Sequence, residues 1–202
     1  MTNGRPSYAD LTKAAGEFLI EFAMLESMYL TVALDGVSND RVMLDFLPET
    51  MDLSKRLKLL RYLAKERDVP AALMKEVETV CNRIDKLSER RNEIAHNPAV
   101  MAGGFQRGKG FEGDWTPGVQ MAKSKRPKPL MPPKTDSAAF VAWMKSWVYE
   151  CSEIEQWTRE TRLMQNATNR LGAKLNAFKR NDPWEAVKIT IPESVGCRLT
   201  EE

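Results

Sequence analysis

An apolar stripe bounded by two prolines constrains the fold of this chain more than any other feature. Between Pro70 and Pro98, apolar residues recur at steps of three and four, the period of one face of an α-helix. These residues are Leu73, Val77, Val80, Ile84, Leu87 and Ile94. Proline is favoured in a first helical turn and disfavours helical geometry in the residue before it. We therefore predict one helix from about Pro70 to about His96.

Two earlier stretches have the same period. The first follows Asp10, a candidate N-cap, and should end near Leu34, because Asp35-Gly36 is typical of a turn. Its stripe is Leu11, Ala15, Phe18, Phe22, Leu25, Tyr29 and Val32. The second begins after Asp52 and ends before Pro70, with the stripe Leu53, Leu57, Leu60 and Ala64. Both stretches predict amphipathic helices.

The chain changes character from Asn97 to Asp136. Glycine and proline interrupt any helical period there, so we predict a long irregular insert at about 97–135, with room for a hairpin. The insert is basic, because only Glu112 and Asp114 oppose its cations. Those cations are Arg107, Lys109, Lys123, Lys125, Arg126, Lys128 and Lys134.

Helical periodicity returns after the insert. The stripe Phe140, Met144, Trp147, Cys151 and Ile154 predicts one helix that continues to about Leu175, and residues 186–193 could add a short strand. The predicted fold is all-α: a four- to five-helix bundle with the basic insert between its third and fourth main helices. We expect a single domain over 1–180 and a C-terminal tail over 181–202.

Composition excludes several functional classes. The formal net charge is +2 and the pI about 8.4, so overall charge does not indicate a nucleic-acid-binding protein. Three widely spaced cysteines and one histidine favour neither a disulfide framework nor a zinc site, and we expect no metal and no cofactor. No apolar run approaches the roughly 20 residues that span a bilayer. We expect a soluble, cytoplasmic protein without a membrane segment.

The run RRNEIAHN, residues 90–97, contains the only histidine. Arg91 falls on the apolar stripe, where a charged group costs several kcal/mol unless it is paired. It therefore reaches an edge, meets a carboxylate, or faces a cleft or a subunit interface. Asn92 and His96 are four residues apart and share a helix face. Arg91 and His96 point about 140° apart on an ideal helix, and can converge on one ligand if the helix ends near His96.

These residues resemble the signature of the HEPN superfamily, a group of small helical-bundle proteins. Its hallmark is an Arg followed after four to six residues by His, with a polar residue directly after the Arg; Arg91, Asn92 and His96 match it. The opening helix, EFLIEFAMLES, is also similar, and the resemblance covers residues 8–98 and 136–176. It implies a metal-independent endoribonuclease that works as a homodimer, of the kind found among toxins and phage-defence effectors, with an antitoxin or regulatory protein as a further partner.

The chemistry of these residues supports the same function, an endoribonuclease, without reference to the resemblance. Cleavage of RNA by its own 2′-OH needs a base, an acid and positive charge for the phosphorane. An imidazole suits the first two roles and the forked guanidinium of Arg91 suits the third. One chain has one His, so a pair of imidazoles requires a two-fold dimer. Two alternatives stay open: a helix C-terminus with cations that complement its dipole, and a catalytically silent dimer that binds RNA, a nucleotide or a partner protein.

Other residues have weaker functional predictions. Arg90 lies off the stripe and could contact phosphate. Five cations of the insert could do the same: Arg107, Lys109, Lys123, Lys125 and Arg126. The alternative for the insert is a surface loop that does not bind RNA. We expect Glu21 and Glu26 to be ordinary carboxylates, although either could pair with Arg91. The remaining expectations concern packing: Trp143, Trp147 and Trp157 in a core or interface, and Cys151 inert and buried.

Overall fold

The computed structural model describes residues 7–38, 50–97, 99–102, 116–121 and 137–188. It consists mainly of helices, which are α1 Tyr8–Met24, a π-helical turn Leu25–Tyr29, α2 Leu30–Val37, α3 Leu53–Glu66, α4 Ala71–His96, α5 Ser137–Lys145, α6 Cys151–Lys179 and a 3-10 turn Trp184–Ala186. Strands β1 Ala99–Ala102, β2 Thr116–Gln120 and β3 Val148–Glu150 form one antiparallel sheet in the order β1-β2-β3. The prediction of a mostly α-helical bundle is confirmed. None of the described helices is long and apolar enough to cross a membrane.

The chain divides into two compact units. The first unit comprises residues up to Ile20 and residues 89–158, and the second comprises 21–88 and the chain from Arg159 onward. The buried apolar side chains of the first unit are Leu11, Ala14, Phe18, Ile94, Val119, Val148, Tyr149, Cys151 and Ile154. Those of the second unit include Phe22, Leu25, Leu30, Leu34, Leu57, Leu60, Leu73, Val77, Ile84, Met164, Leu171 and Leu175. The prediction of a single domain over 1–180 stays a prediction.

The first helical stretch changes its buried face at the π-helical turn. Up to Leu25 the predicted stripe is largely correct, but the turn closes with a bond from the Leu30 amide to the Leu25 carbonyl, one residue longer than an α-helical bond. The extra residue moves the buried face onto Leu30, Ala33, Leu34 and Val37. The predicted core position Val32 is consequently 42% exposed.

The two ends of this stretch also differ from the prediction. Ser7, rather than Asp10, is the N-cap, because its hydroxyl accepts from the Asp10 amide (3.2 Å) and the Asp10 carboxylate accepts from the Ser7 amide (2.8 Å). This is a capping box with Asp in the third helical position. The helix ends at Val37 and not near Leu34, so Gly36 is helical. A Cβ at Gly36 would lie 2.5 Å from the Gly172 carbonyl oxygen, so the glycine permits close helix packing and does not form a turn.

Helices α3 and α4 confirm their predictions. Asp52 caps α3 by accepting a hydrogen bond from the Lys55 amide at 2.9 Å. The helix stops before Pro70 in a Schellman arrangement with Asp68 in the left-handed region (φ 50°). The amide of Val69 donates to the Ala64 carbonyl and that of Asp68 to the Lys65 carbonyl. Asp therefore occupies a position where glycine is usual.

The prediction of one helix from Phe140 to Leu175 is wrong. Strand β3 separates α5 from α6, because Val148 and Tyr149 pair with β2 and are buried. Gly118 of β2 makes this pairing possible, since a Cβ there would lie 2.8 Å from the Tyr149 carbonyl oxygen. Glu153 then starts α6 by accepting a hydrogen bond from the Glu150 amide at 2.9 Å.

The structure bears on the two predicted features outside the helices. The antiparallel pairing of β1 with β2 places a two-stranded element in the predicted insert, with Ala99 opposite Val119. Of the predicted strand at 186–193, residues 186–188 form no strand: Ala186 closes the 3-10 turn, and Val187 is extended but pairs with no strand among the described residues. Residues 189–193 lie outside the described residues.

Candidate functional site

Helix α4 positions the run RRNEIAHN in its last two turns. The apolar stripe of α4 is buried along its whole length, from Leu73 (fully buried) to Ile94 (7% exposed). The helix ends at His96, one residue before Asn97 and two before Pro98, whose ring disfavours helical geometry at Asn97. The predicted motif therefore lies in the last turns of α4, where Ile94 is buried.

The three predicted catalytic residues are accessible on this helix end. Asn92 and His96 are exposed and Arg91 is partly exposed, although Arg91 falls on the apolar stripe. The Nη1 atom of Arg91 donates a hydrogen bond to the Oδ1 atom of Asn92 at 3.0 Å. The guanidinium thus extends toward the face that Asn92 shares with His96. Within the described ranges, the His96 imidazole forms no hydrogen bond or ion pair.

Arg90 has a different environment from its neighbour. Its guanidinium carbon lies 5.5 Å from the centroid of the Tyr149 ring and 5.2 Å from that of Trp157. Its Nη1 atom donates to the Tyr149 hydroxyl at 3.0 Å. Two cation–π contacts and a hydrogen bond hold the side chain against β3 and α6. A phosphate-contacting role for Arg90 stays a prediction, and this side chain already has protein partners.

Sequence reasoning missed Glu93, which lies inside the motif. This side chain is only 7% exposed, unusual for a carboxylate. The Glu93 Oε2 atom accepts a hydrogen bond from the Asn97 Nδ2 atom at 3.2 Å. The backbone carbonyl of Glu93 accepts from both the Asn97 backbone amide (3.1 Å) and the Asn97 Nδ2 atom (2.9 Å). The sequence feature that points to Glu93 is its position, because it is adjacent to the predicted core residue Ile94 and four residues before Asn97.

The two carboxylates considered for Arg91 have other partners. Glu21 accepts hydrogen bonds from Arg162 (2.8 Å) and Gln165 (2.8 Å), and these bonds hold its pKa below the ordinary value. Glu26 pairs with the buried Arg56 at 2.6 Å. Neither carboxylate therefore pairs with Arg91, and both form ion pairs with other arginines and are not ordinary surface carboxylates.

Two cysteines, Cys81 and Cys151, are buried, and three tryptophans pack against other aromatic rings. Burial raises the pKa of the Cys151 thiol, which is a donor to the Asp10 carbonyl at 3.6 Å, and raises that of Cys81 to about 12. The Trp143 and Trp147 rings pack at a tilt of 57° with centroids 4.0 Å apart, and the Trp157 ring meets the Tyr149 ring edge-on with centroids 4.9 Å apart. In the part of the chain that the structure describes, no group of three or more His, Cys, Asp or Glu side chains could hold a metal ion.

The predicted RNA-binding cations of the insert lie outside the described residues. They are Arg107, Lys109, Lys123, Lys125 and Arg126. Of the parts of the insert that are described, β1 begins three residues after His96 and pairs with β2, and β2 pairs with β3. The sheet therefore connects directly to the end of the motif helix.

The end of α4 carries a partly exposed cation, Arg91, and an exposed imidazole, His96. A guanidinium can bind a phosphate oxygen and an imidazole can transfer a proton, which are two of the functions that phosphodiester cleavage without a metal requires. Comparisons of the chain with protein-family models, with curated proteins and with solved structures found no match.

Proposed function

We propose that the chain is a HEPN-like, metal-independent endoribonuclease that acts as a homodimer in the cytoplasm, as a toxin or phage-defence effector. The solvent-accessible group Arg91, Asn92 and His96 at the end of α4 carries this proposal. Arg91 lies on the buried stripe, yet its guanidinium turns to Asn92 and contacts no carboxylate within the described residues. A charged residue in that position is readily explained if its ligand is an anion that approaches from outside the chain.

The proposed reaction is attack of the RNA 2′-OH on the adjacent phosphorus. One His96 removes the hydroxyl proton and a second His96 protonates the departing 5′-oxygen, so the products carry 2′,3′-cyclic phosphate and 5′-OH ends. Arg91 stabilises the charge that develops on the non-bridging oxygens, and Asn92 holds the guanidinium through the 3.0 Å hydrogen bond. Two chains are needed because each contributes one imidazole.

The test is RNA cleavage in EDTA by wild type, His96→Ala and Arg91→Ala. Lys86→Ala is the matched control, since Lys86 is an exposed cation on the same helix. We expect the first two variants to lose at least about 100-fold in rate and the control to keep wild-type activity. Cleavage that survives both site substitutions would refute the proposal. RNA binding without cleavage by any form of the protein, unaffected by His96→Ala, would support the silent binding module instead.

The dimer requirement has its own test. Wild type is mixed with an equal amount of His96→Ala under conditions that exchange subunits. If both imidazoles are required, activity falls to about one quarter of that of the same total amount of wild type, because only wild-type pairs are active. A fall to about one half, or cleavage by a strict monomer, would refute the composite site. Loss of toxicity in a bacterial host on Arg91→Ala is a simpler supporting observation.

A further inference from the structure

Hydrogen bonds between Glu93 and Asn97 bracket the peptide segment that carries His96. The Asn97 amide and side chain both donate to the Glu93 carbonyl, at 3.1 and 2.9 Å, and the same side-chain nitrogen lies 3.2 Å from the Glu93 carboxylate. His96 lies between these two residues in the chain. The last turn of α4 is therefore closed by side chains as well as by the backbone.

The burial of Glu93 makes this arrangement unusual. A carboxylate that is 7% exposed loses most of its hydration, which costs several kcal/mol unless hydrogen bonds replace it. An apolar residue would pack at such a position without that cost. A helix end normally frays within its last turn, and Pro98 follows at once and removes a backbone donor. The Glu93–Asn97 pair opposes fraying at the one turn that carries the histidine.

We infer that Glu93 and Asn97 are positioning residues that fix the orientation of His96 for proton transfer. This inference rests on the proposed function. An exposed imidazole without a hydrogen-bond partner among the described residues depends on its backbone for orientation, and displacements of about 1 Å can lower a rate about 100-fold. Neither Glu93 nor Asn97 touches the substrate. The carboxylate acts through the turn, and a neutral acceptor oxygen can replace it.

The kinetic test compares four variants with wild type: Glu93→Ala, Asn97→Ala, the double variant, and Glu93→Gln. We expect each alanine variant to lower kcat by about 10- to 100-fold with KM changed less than about twofold, because binding of phosphate by Arg91 is retained. The double variant should be no slower than the slower single variant, since the two residues act as a pair. Glu93→Gln should stay within about threefold of wild type, because its side-chain oxygen still accepts from Asn97.

Three kinetic results would overturn the inference. They are an unchanged kcat in both alanine variants, losses that multiply in the double variant, and a Glu93→Gln variant as slow as Glu93→Ala. The last result would mean that catalysis requires the negative charge of Glu93. The dependence of kcat on pH would then have a different shape in Glu93→Gln from that in wild type. Far-UV circular dichroism of each variant verifies that the helices are formed, and Asn97→Ala tests the pair without altering a buried side chain.

Amide hydrogen exchange separates this inference from the proposed function. We expect exchange at the Asn97 amide to accelerate about tenfold or more in Glu93→Ala and to stay near the wild-type rate in Glu93→Gln, with core amides of α4 unaffected. If wild type cleaves no RNA but this pattern appears, the proposed function fails and the positioning of the turn stands. If the Asn97 amide exchanges equally fast in wild type and Glu93→Ala, the positioning inference fails whatever the activity.

Discussion

Replacement of Arg90 should lower the stability of the protein far more than replacement of Arg91, although the two residues are adjacent and identical. Arg90→Ala removes cation–π contacts with two rings, at 5.5 and 5.2 Å, and a hydrogen bond to the Tyr149 hydroxyl. Contacts of this kind contribute about 0.5–1 kcal/mol each for the rings and about 1 kcal/mol or more for the hydrogen bond. We expect the free energy of unfolding to fall by about 2–3 kcal/mol.

Arg91→Ala should change the free energy of unfolding by no more than about 0.5 kcal/mol. Its guanidinium bonds only to the exposed Asn92 among the described residues. Tyr149→Phe isolates the hydrogen bond of Arg90 and should cost about 1 kcal/mol, because the ring and its contact with the guanidinium remain. The double variant Arg90→Ala, Tyr149→Phe should cost little more than Arg90→Ala alone, since the two substitutions remove the same bond.

The assay is urea denaturation followed by tryptophan fluorescence and by circular dichroism. Coincident transitions from the two probes justify a two-state analysis, and equal slopes allow the midpoints to be compared directly. Equal stability losses for Arg90→Ala and Arg91→Ala would refute the assignment of different roles to the two residues. A stable Arg90→Ala variant would show that the two rings do not hold the guanidinium.

Three further predictions concern other parts of the chain. Gly36→Ala should destabilise the protein by about 1–3 kcal/mol because its Cβ would meet the Gly172 carbonyl oxygen at 2.5 Å; Gly16→Ala, with no atom within 4 Å, should stabilise by about 0.5–1 kcal/mol, and thermal unfolding of both variants decides. The pKa of Glu21 is lowered from 4.5 by its hydrogen bonds, so its contribution is present above about pH 4.5 and is lost as pH falls. Glu21→Gln should therefore be less stable than wild type at pH 7 by about 0.2–1 kcal/mol, and urea titrations should show the difference shrinking toward pH 3; a difference that is independent of pH contradicts the assignment. Cys81 and Cys151 should resist a thiol reagent at pH 8 until the protein unfolds, because burial raises the pKa of both thiols; peptide mass spectrometry that finds either labelled in the folded state would contradict this.

The sequence predicts those helices whose ends carry local signals. Helix α3 has an Asp52 cap and Pro70 beyond its end, and α4 has a proline near each end, so both were predicted within a few residues. The end of the first stretch was missed because Gly36 was interpreted as a turn residue. Its role is to approach Gly172, a partner 136 residues away in the chain that no local pattern reveals.

Two interruptions of helical periodicity could not be predicted for a related reason. The apolar spacing through Trp147 and Cys151 fits a helix, and only pairing with β2 makes Val148–Glu150 a strand. The π-helical turn Leu25–Tyr29 is coupled to a distant contact, since the buried Arg56 donates to the Glu26 carbonyl at 2.7 Å. In both cases tertiary partners decide the local geometry.

The candidate site was predictable in its residue types but not in its supports. Arg91, Asn92 and His96 could be chosen from spacing and chemistry. No local pattern distinguishes Arg90 by its aromatic partners, because Tyr149 and Trp157 are 59 and 67 residues away in the chain. Glu93 looked like one more charged residue of a polar helix end, and its burial is a property of packing alone.

The three-stranded sheet limits how the insert can be shortened. Residues 97–135 look dispensable as a block, but a deletion of that block removes β1 and β2 and leaves the buried face of Val148 and Tyr149 without its pairing strand. A truncated protein for crystallography or for assays should therefore keep Ala99–Ala102 and 116–121. The sheet thus shows that β1 and β2, although they lie in the basic insert, belong to the folded framework of the protein.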